Sequence, residues 1–267
     1  MNPPNTNLRA FNLAVQTLLS TPSQFLPHLT IPTFTHLPEN IGAALQTIYP
    51  PPSSQSSPSS TTSTSTGAST EKEEKNGITI RALILDKDNT LCPAKTTSFP
   101  PNIYSKLHSL RNSPTSPFNI KAAPDSVLIV SNRAGSHSRY EDEALEIEER
   151  LAGLQIPVFR LPESNKHGAR VEKKPFCGKE VLDWFRDRGV VQRADEIAVV
   201  GDRLGTDVLM AMEMGAWSVW CRDGVGEELT KGRRNVLEKM ELWVERYLRE
   251  SRGLKPLPPR AYQSPSP

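Results

Sequence analysis

Two carboxylates one residue apart, Asp86 and Asp88, stand at the end of an apolar run in "ALILDKDNTLC", residues 82–92. In an open parallel sheet, ligands bind beyond the carboxyl ends of the strands. A carboxylate in that position can attack an electrophile and carry a covalent intermediate. One residue of spacing lets a second carboxylate point the same way as the chain leaves the strand. Taken alone, the stretch is equally well explained as a charged turn that ends a strand.

Three more strand ends carry polar groups of complementary chemistry. "SVLIV" is followed by Ser131 and Asn132, a hydroxyl and an amide. "EIAVV" is followed by Gly201 and Asp202, with Asp207 five residues on, and between these two sites Lys174 directly precedes Pro175. Each has an ordinary alternative as a turn, a surface lysine or a helix cap. Their order and spacing together make them a candidate set.

The elements that must position this set begin at residue 79. There the β-type runs "TIRALIL", "SVLIV", "IPVFR", "EIAVV" and "AWSVW" alternate with segments of helical periodicity. Near-continuous apolar strands separated by helices predict a doubly wound, Rossmann-like α/β domain with a parallel sheet of about five strands. Over residues 139–154, Ala144, Ile147, Leu151 and Leu154 share a helical face, and the six acidic residues from Glu141 to Glu149 form its solvated side. After the last strand, Leu229, Val236, Leu237, Met240, Trp243, Val244, Tyr247 and Leu248 form another apolar stripe.

A chain of 267 residues has room for one well-buried domain with appendages. Its formal net charge of +2 comes from mixed charges, so no global field points to nucleic acid. Cys92, Cys177 and Cys221 are odd in number and far apart, which suits a reducing compartment better than a disulfide framework or a metal site. No apolar run approaches the length of a spanning helix, and no secretory leader is evident. Only Arg9 and Glu39 are charged in the first seventy residues. Composition divides the chain into an N-terminal amphipathic segment (1–50), a disordered Ser/Thr/Pro-rich linker (51–77), the α/β domain (78–255) and a flexible tail (256–267). Within the first segment, Leu8, Phe11, Val15, Leu18 and Leu19 recur at helical spacing behind a cap at Asn5 or Thr6.

The motifs DKDNT, SN, KP and GDRLGTD, spread over residues 86–207, resemble the four motifs of the haloacid dehalogenase-like superfamily. The resemblance implies that Asp86 is the nucleophile and becomes an aspartyl phosphate, with Asp88 as general acid and base. It implies that Ser131 and Asn132 hydrogen-bond the phosphoryl oxygens and that Lys174, rather than Lys173, offsets the charge. Asp202 then matches the magnesium ligand, joined by Asp86 and the Asp88 backbone carbonyl, with Asp207 an outer or second acidic member. Such an all-oxygen set suits Mg2+. Superfamily dehalogenases and pump ATPases lack an aspartate at the second position, so Asp88 favours phosphomonoester hydrolysis. Asn89 replaces a common glycine there, and asparagine enters left-handed turns readily. The 45 positions from Asp86 to Ser131 and 43 from Ser131 to Lys174 leave no room for a cap domain. In this superfamily an open, capless site goes with bulky substrates.

More closely, "LDKDNTL", "IVSNRAGS", "KKPFCGKEVLDWF" and "VVGDRLGTDVLMAMEMGAWSVWCRDG" resemble the fungal-type mitochondrial phosphatidylglycerophosphate phosphatases, over residues 78–225 and more loosely 7–50. That resemblance implies removal of the terminal phosphate from phosphatidylglycerophosphate, giving phosphatidylglycerol on the way to cardiolipin, at the matrix side of the inner membrane. The N-terminus is poor in arginine for a transit peptide, so the location comes from the resemblance. Under it, the N-terminal helix lies on the membrane; otherwise it packs on the α/β domain or on another copy, and a homo-oligomer is compatible with the sequence. Eight basic and four acidic residues between Lys231 and Lys255 either meet anionic lipid or surround a core stripe at Trp243. Arg203 either binds a phosphate of the substrate or is a structural arginine at a helix start. The alternatives are a capless phosphatase of proteins or nucleic-acid ends, and a non-catalytic membrane scaffold.

Overall fold

The computed structural model describes residues 6–50, 77–163, 172–225 and 236–263. Asn5, the expected linker except residue 77, Leu229, Lys231 and the last four residues lie outside them. In chain order the main elements are α1 (Thr6–Ser20), β1 (Leu29–Ile31), α2 (Ile41–Ile48), β2 (Ala82–Leu85), α3 (Pro101–Asn112) and β3 (Val127–Ile129). They continue with α4 (Glu141–Arg150), α5 (Gly178–Asp187), β4 (Ile197–Gly201), α6 (Leu209–Met214), β5 (Trp217–Cys221) and α7 (Val236–Arg246). The strands form one sheet in the order β1-β5-β4-β2-β3, and every neighbouring pair is parallel.

β2 to β5 are buried along their whole length because helices cover both faces. Alternate side chains serve the two sides. Leu83, Leu85, Ile129, Val200 and Trp217 share one core with residues of α2, α3 and α4. Ala82, Ile84, Leu128 and Val199 meet Val181 and Phe185 of α5 and Met210 of α6 on the other. Among the described residues, neither the β2–α3 crossing nor the β3–α4 crossing holds a further domain, and the strand ends stay open.

The N-terminal fifty residues are not an appendage. β1 pairs with β5 in the register Leu29↔Val219, Thr30↔Trp220 and Ile31↔Cys221. Phe34, Leu37, Ile41 and Leu45 are fully buried in the main core. α2 starts where the Asn40 side chain accepts from the Ala43 N–H at 2.9 Å. Just before β1, the His28 N–H donates to Ser218 Oγ at 3.1 Å and the Ser218 N–H to His28 Nδ1 at 3.0 Å. The fifth strand therefore comes from the N-terminus and not from "IPVFR", where only Val158 forms an isolated bridge, to Ile129. Pro157 supplies a carbonyl to the Ile129 N–H but has no N–H of its own to extend a ladder.

The expected flexible tail also needs correction. Tyr262 donates to the Tyr49 carbonyl at 2.9 Å and packs edge-on against Trp217 at 5.4 Å. The Leu257 carbonyl bonds His28 Nε2 at 2.9 Å.

α1 forms where the periodicity predicts it, yet much of its apolar stripe faces outward. Leu13, Ala14 and Leu18 pack towards Leu204, Val208 and Trp220. Leu8, Phe11, Val15 and Leu19 are exposed, Leu19 at 82%. α7 behaves alike: Leu242 and Val244 pack inward, while Val236, Leu237, Met240 and Trp243 are exposed, and Trp243 stacks on Tyr247 at 5.5 Å. No described helix is long and apolar enough to cross a membrane.

Candidate active site

Asp86 is the first residue beyond β2, and its N–H is fixed by the Val200 carbonyl of β4 at 2.8 Å. The chain then turns sharply, with Asn89 in the left-handed region at φ 61° and the Lys87 carbonyl accepting from the Leu91 and Cys92 N–H groups. This turn brings the Thr90 hydroxyl back to Asp86 Oδ2, at a long 3.4 Å. Asp86, Ser131, Lys174, Asp202 and Asp207 are all buried.

Lys174 is the centre of the cluster. Its Nζ donates to Asp207 Oδ1 at 2.7 Å and to Asp86 Oδ1. Burial alone would push the ammonium pKa down, but the Asp207 and Asp86 carboxylates more than reverse that, so it lies above its ordinary value. Asp207 is oriented at both oxygens, because Oδ2 accepts from the Arg203 N–H at 3.1 Å. Asp202 follows β4, its carbonyl held by Trp220 Nε1 at 2.8 Å, while its Oδ1 is buried without a hydrogen-bond partner.

The electrostatics of this cluster are those of excess negative charge out of water. Burial, followed by the Asp86 and Asp207 carboxylates, drives the Asp202 pKa well above its ordinary value. Burial pushes Asp86 up to about 7, with Lys174 opposing and Asp207 adding to the shift. Asp86, Asp202 and Asp207 each offer a carboxylate oxygen, all within 4.8 Å of one another. Three hard oxygens, one lacking any donor, fit a divalent cation of the Mg2+ type.

Ser131 and Asn132 follow β3, which is registered to β2 through Ile129↔Leu85, so they flank Asp86 at the same sheet edge. Ser131 Oγ accepts from the Arg133 N–H at 3.0 Å, and Asn132 Oδ1 is buried without a partner. Lys173 is tied to the Asn132 carbonyl at 2.8 Å, leaving Lys174 as the lysine at the aspartates. Asp88 sits at the rim, where its Oδ1 accepts from the Lys95 N–H at 2.7 Å and pairs with Lys87 Nζ at 2.9 Å. The Arg203 side chain lies near Glu241 of α7, with Nε 3.9 Å from Oε1, and feels the Asp202 and Asp207 carboxylates as well.

Sequence reasoning missed three participants. Lys87 lies inside the recognised motif, where the sequence assigned it no role. Glu143 was assigned to a solvated face, whereas it pairs with Lys87 and with Arg133 at 3.1 Å. Glu241 accepts from the Gly205 N–H at 3.0 Å and so ties α7 to the loop after Asp202. A carboxylate inside an apolar stripe, as Glu241 is, was the available signal.

Residues 8–226 match the family described as mitochondrial PGP phosphatase. The chain is 36% identical over 170 residues to phosphatidylglycerophosphatase GEP4, mitochondrial, of Saccharomyces cerevisiae, covering 64% of this chain and 79% of that one. It is 26% identical over 239 residues to a probable mitochondrial phosphatidylglycerophosphatase of Schizosaccharomyces pombe, covering 89% and 90% of the two chains. A crystal structure of D,D-heptose 1.7-bisphosphate phosphatase from B. bronchiseptica with magnesium and phosphate overlays 63% of this chain and 99% of that one. At 18% identity and a TM-score of 0.35, that overlay adds nothing to the assignment. The family match takes in every strand of the sheet and every carboxylate of the cluster, and on that extent the chain belongs to the mitochondrial PGP phosphatase family, a family of phosphatases.

Proposed function

We propose that this protein is a Mg2+-dependent phosphatidylglycerophosphatase that works through an aspartyl phosphate on Asp86. The observation that carries the chemistry is the Lys174 ammonium bridging Asp86 and Asp207 beside Asp202, at an uncapped strand end. An Asp86 oxygen attacks phosphorus, and the bond from phosphorus to the glycerol oxygen breaks. The electron pair leaves with that oxygen, which takes a proton from Asp88. Asp88 then removes a proton from water as the water attacks phosphorus, and the phosphorus–Asp86 bond breaks to return the carboxylate. Ser131 and Asn132 hydrogen-bond the transferring oxygens, while Lys174 offsets charge on Asp86 and the phosphoryl group. Asp86 and Asp202, with the Asp88 backbone carbonyl, would hold the cation, and Asp207 would support it while orienting Lys174. Bound there, Mg2+ supplies charge neutralisation and polarises the phosphoryl oxygens.

The lipid substrate is supported by the names of the relatives and by the outward faces of α1 and α7. Both helices border the site. Arg9 of α1 pairs with Glu172 and lies 4.8 Å over the Phe176 ring, on either side of Lys174; Glu241 anchors α7 to Gly205. Exposed Phe11, Leu19, Met240 and Trp243 would then rest in the interface of an anionic bilayer, the matrix side of the mitochondrial inner membrane. On this reading the protein is a peripheral enzyme feeding cardiolipin synthesis.

The test is phosphate release from phosphatidylglycerophosphate in mixed micelles, with and without Mg2+, for wild type and Asp86→Asn side by side. Mg2+-dependent release that vanishes in the variant is the expected result. Turnover surviving in Asp86→Asn refutes the covalent step, and preference for a phosphopeptide or a 3′-phosphorylated DNA refutes the lipid substrate.

A further inference from the structure

Lys87, between the two aspartates of the first motif, is completely buried. Taking an ammonium out of water is costly, and only well-placed partners offset that cost. Its three donors each have an acceptor: the Thr96 carbonyl at 2.9 Å, Asp88 Oδ1 at 2.9 Å and Glu143 Oε1 of α4. Glu143 is held in turn, its Oε2 accepting from Arg133 Nε at 3.3 Å and Nη2 at 3.1 Å. On the other side, Asp88 Oδ1 takes a second hydrogen bond from the Lys95 N–H, presented by a residue at φ 63°. Two donors therefore converge on one oxygen of Asp88. Oδ1 is thereby held, and Oδ2 is left to handle the proton.

We propose that Lys87, backed by Glu143, is a positioning residue that holds Asp88 in the rotamer from which Oδ2 protonates the leaving oxygen. Packing alone does not call for this side chain, since an aliphatic residue fills a buried strand end without the desolvation cost. The inference rests on Asp88 being the general acid of the proposed reaction. Asp86 remains the nucleophile whether or not Lys87 is present.

Leaving-group dependence separates positioning from structure. Dinitrophenolate departs without a proton, whereas the alkoxide of a glycerol phosphate needs one. The quantity to compare is kcat/KM, which reports steps through departure of the leaving group and is blind to later hydrolysis of the aspartyl phosphate. Phosphatidylglycerophosphate in mixed micelles and 2,4-dinitrophenyl phosphate are the two substrates. Lys87→Met is expected to lower kcat/KM on the lipid by about tenfold or more while the aryl phosphate stays within about threefold. Lys87→Gln, which keeps a shorter neutral donor and strands no carboxylate beside an alkyl chain, is the second variant and should show the same selective loss. Asp88→Asn is the reference. If it shows no selectivity between the substrates, the general-acid reading itself fails. If it does, but Lys87→Met and Lys87→Gln depress both substrates equally or neither, Lys87 is structural and the positioning role is overturned.

Discussion

Gly201 lies directly against the Asp207 carboxyl. A Cβ at position 201 would stand 2.2 Å from Asp207 Cγ, so the last residue of β4 must be glycine for Asp207 to reach Lys174. Gly201→Ala is expected to displace Asp207 and lower kcat by about 10²-fold, the cost of a misplacement near 1 Å. Overpacking should also remove about 1–3 kcal/mol of stability. Phosphate release and urea unfolding measure the two effects, and an alanine variant with native kcat contradicts this coupling.

Lys174→Met leaves two buried carboxylates without their shared cation. The expected loss is about 10²–10³-fold in kcat, the range for one electrostatic donor to a transition state. Breaking a buried ion pair from one side costs about 3–5 kcal/mol, so the variant should also melt earlier. Scanning calorimetry alongside steady-state kinetics tests both.

The raised pKa of Asp86 has a definite sign in stability. Its ordinary value is 3.8 and burial lifts it to about 7, so between those values the folded protein holds an extra proton. The contribution is complete below the lower value and is lost as pH rises through the upper one. His28, pushed down to about 4 by burial, acts in the opposite direction below 6.5 and blurs the wild-type profile. The difference in Tm between Asp86→Asn and wild type in EDTA removes that background. It should grow in favour of the variant from about pH 4 to about pH 7 and level off above, and Mg2+ should shrink it at the upper end. A difference flat with pH would mean that Asp86 titrates normally.

Apolar side chains on α1 and α7 are predicted to set membrane affinity and leave the chemistry untouched. Each aromatic or leucine removed from an interface forfeits up to about 1.5–3 kcal/mol, or about tenfold or more in partitioning. Phe11→Ser with Leu19→Ser, and separately Trp243→Ser, should weaken co-sedimentation with anionic vesicles while hydrolysis of p-nitrophenyl phosphate stays at the wild-type rate. Undiminished vesicle binding in both variants would remove these faces from the lipid contact.

The strand-end residues were legible because parallel-sheet topology turns a local pattern into a place: apolar run, then polar group, at Asp86, Ser131 and Asp202. What could not be seen was which oxygen faces which donor. Asp207 was recognised as an acid of the last motif, yet its engagement by both Lys174 and the Arg203 N–H depends on a strand and a loop meeting in space. Glu143 failed for a related reason, since helical periodicity assigns a residue to a face without saying what lies opposite that face. β1 was missed because three residues among prolines carry almost no periodicity. The eight residues of α2 gain their burial only from a sheet formed much later in the chain.

That edge pairing has a kinetic side. His28 and Ser218 are 190 positions apart, so β1 cannot dock until the last strand of the sheet exists. A chain made or delivered N-terminus first presents Phe34, Leu37, Ile41 and Leu45 with nothing to cover them while the rest follows. Contacts of such long range fold slowly, and an unpaired strand edge invites pairing with another chain in the interval. Building the fifth strand from the N-terminus therefore leaves that apolar segment uncovered until β5 arrives.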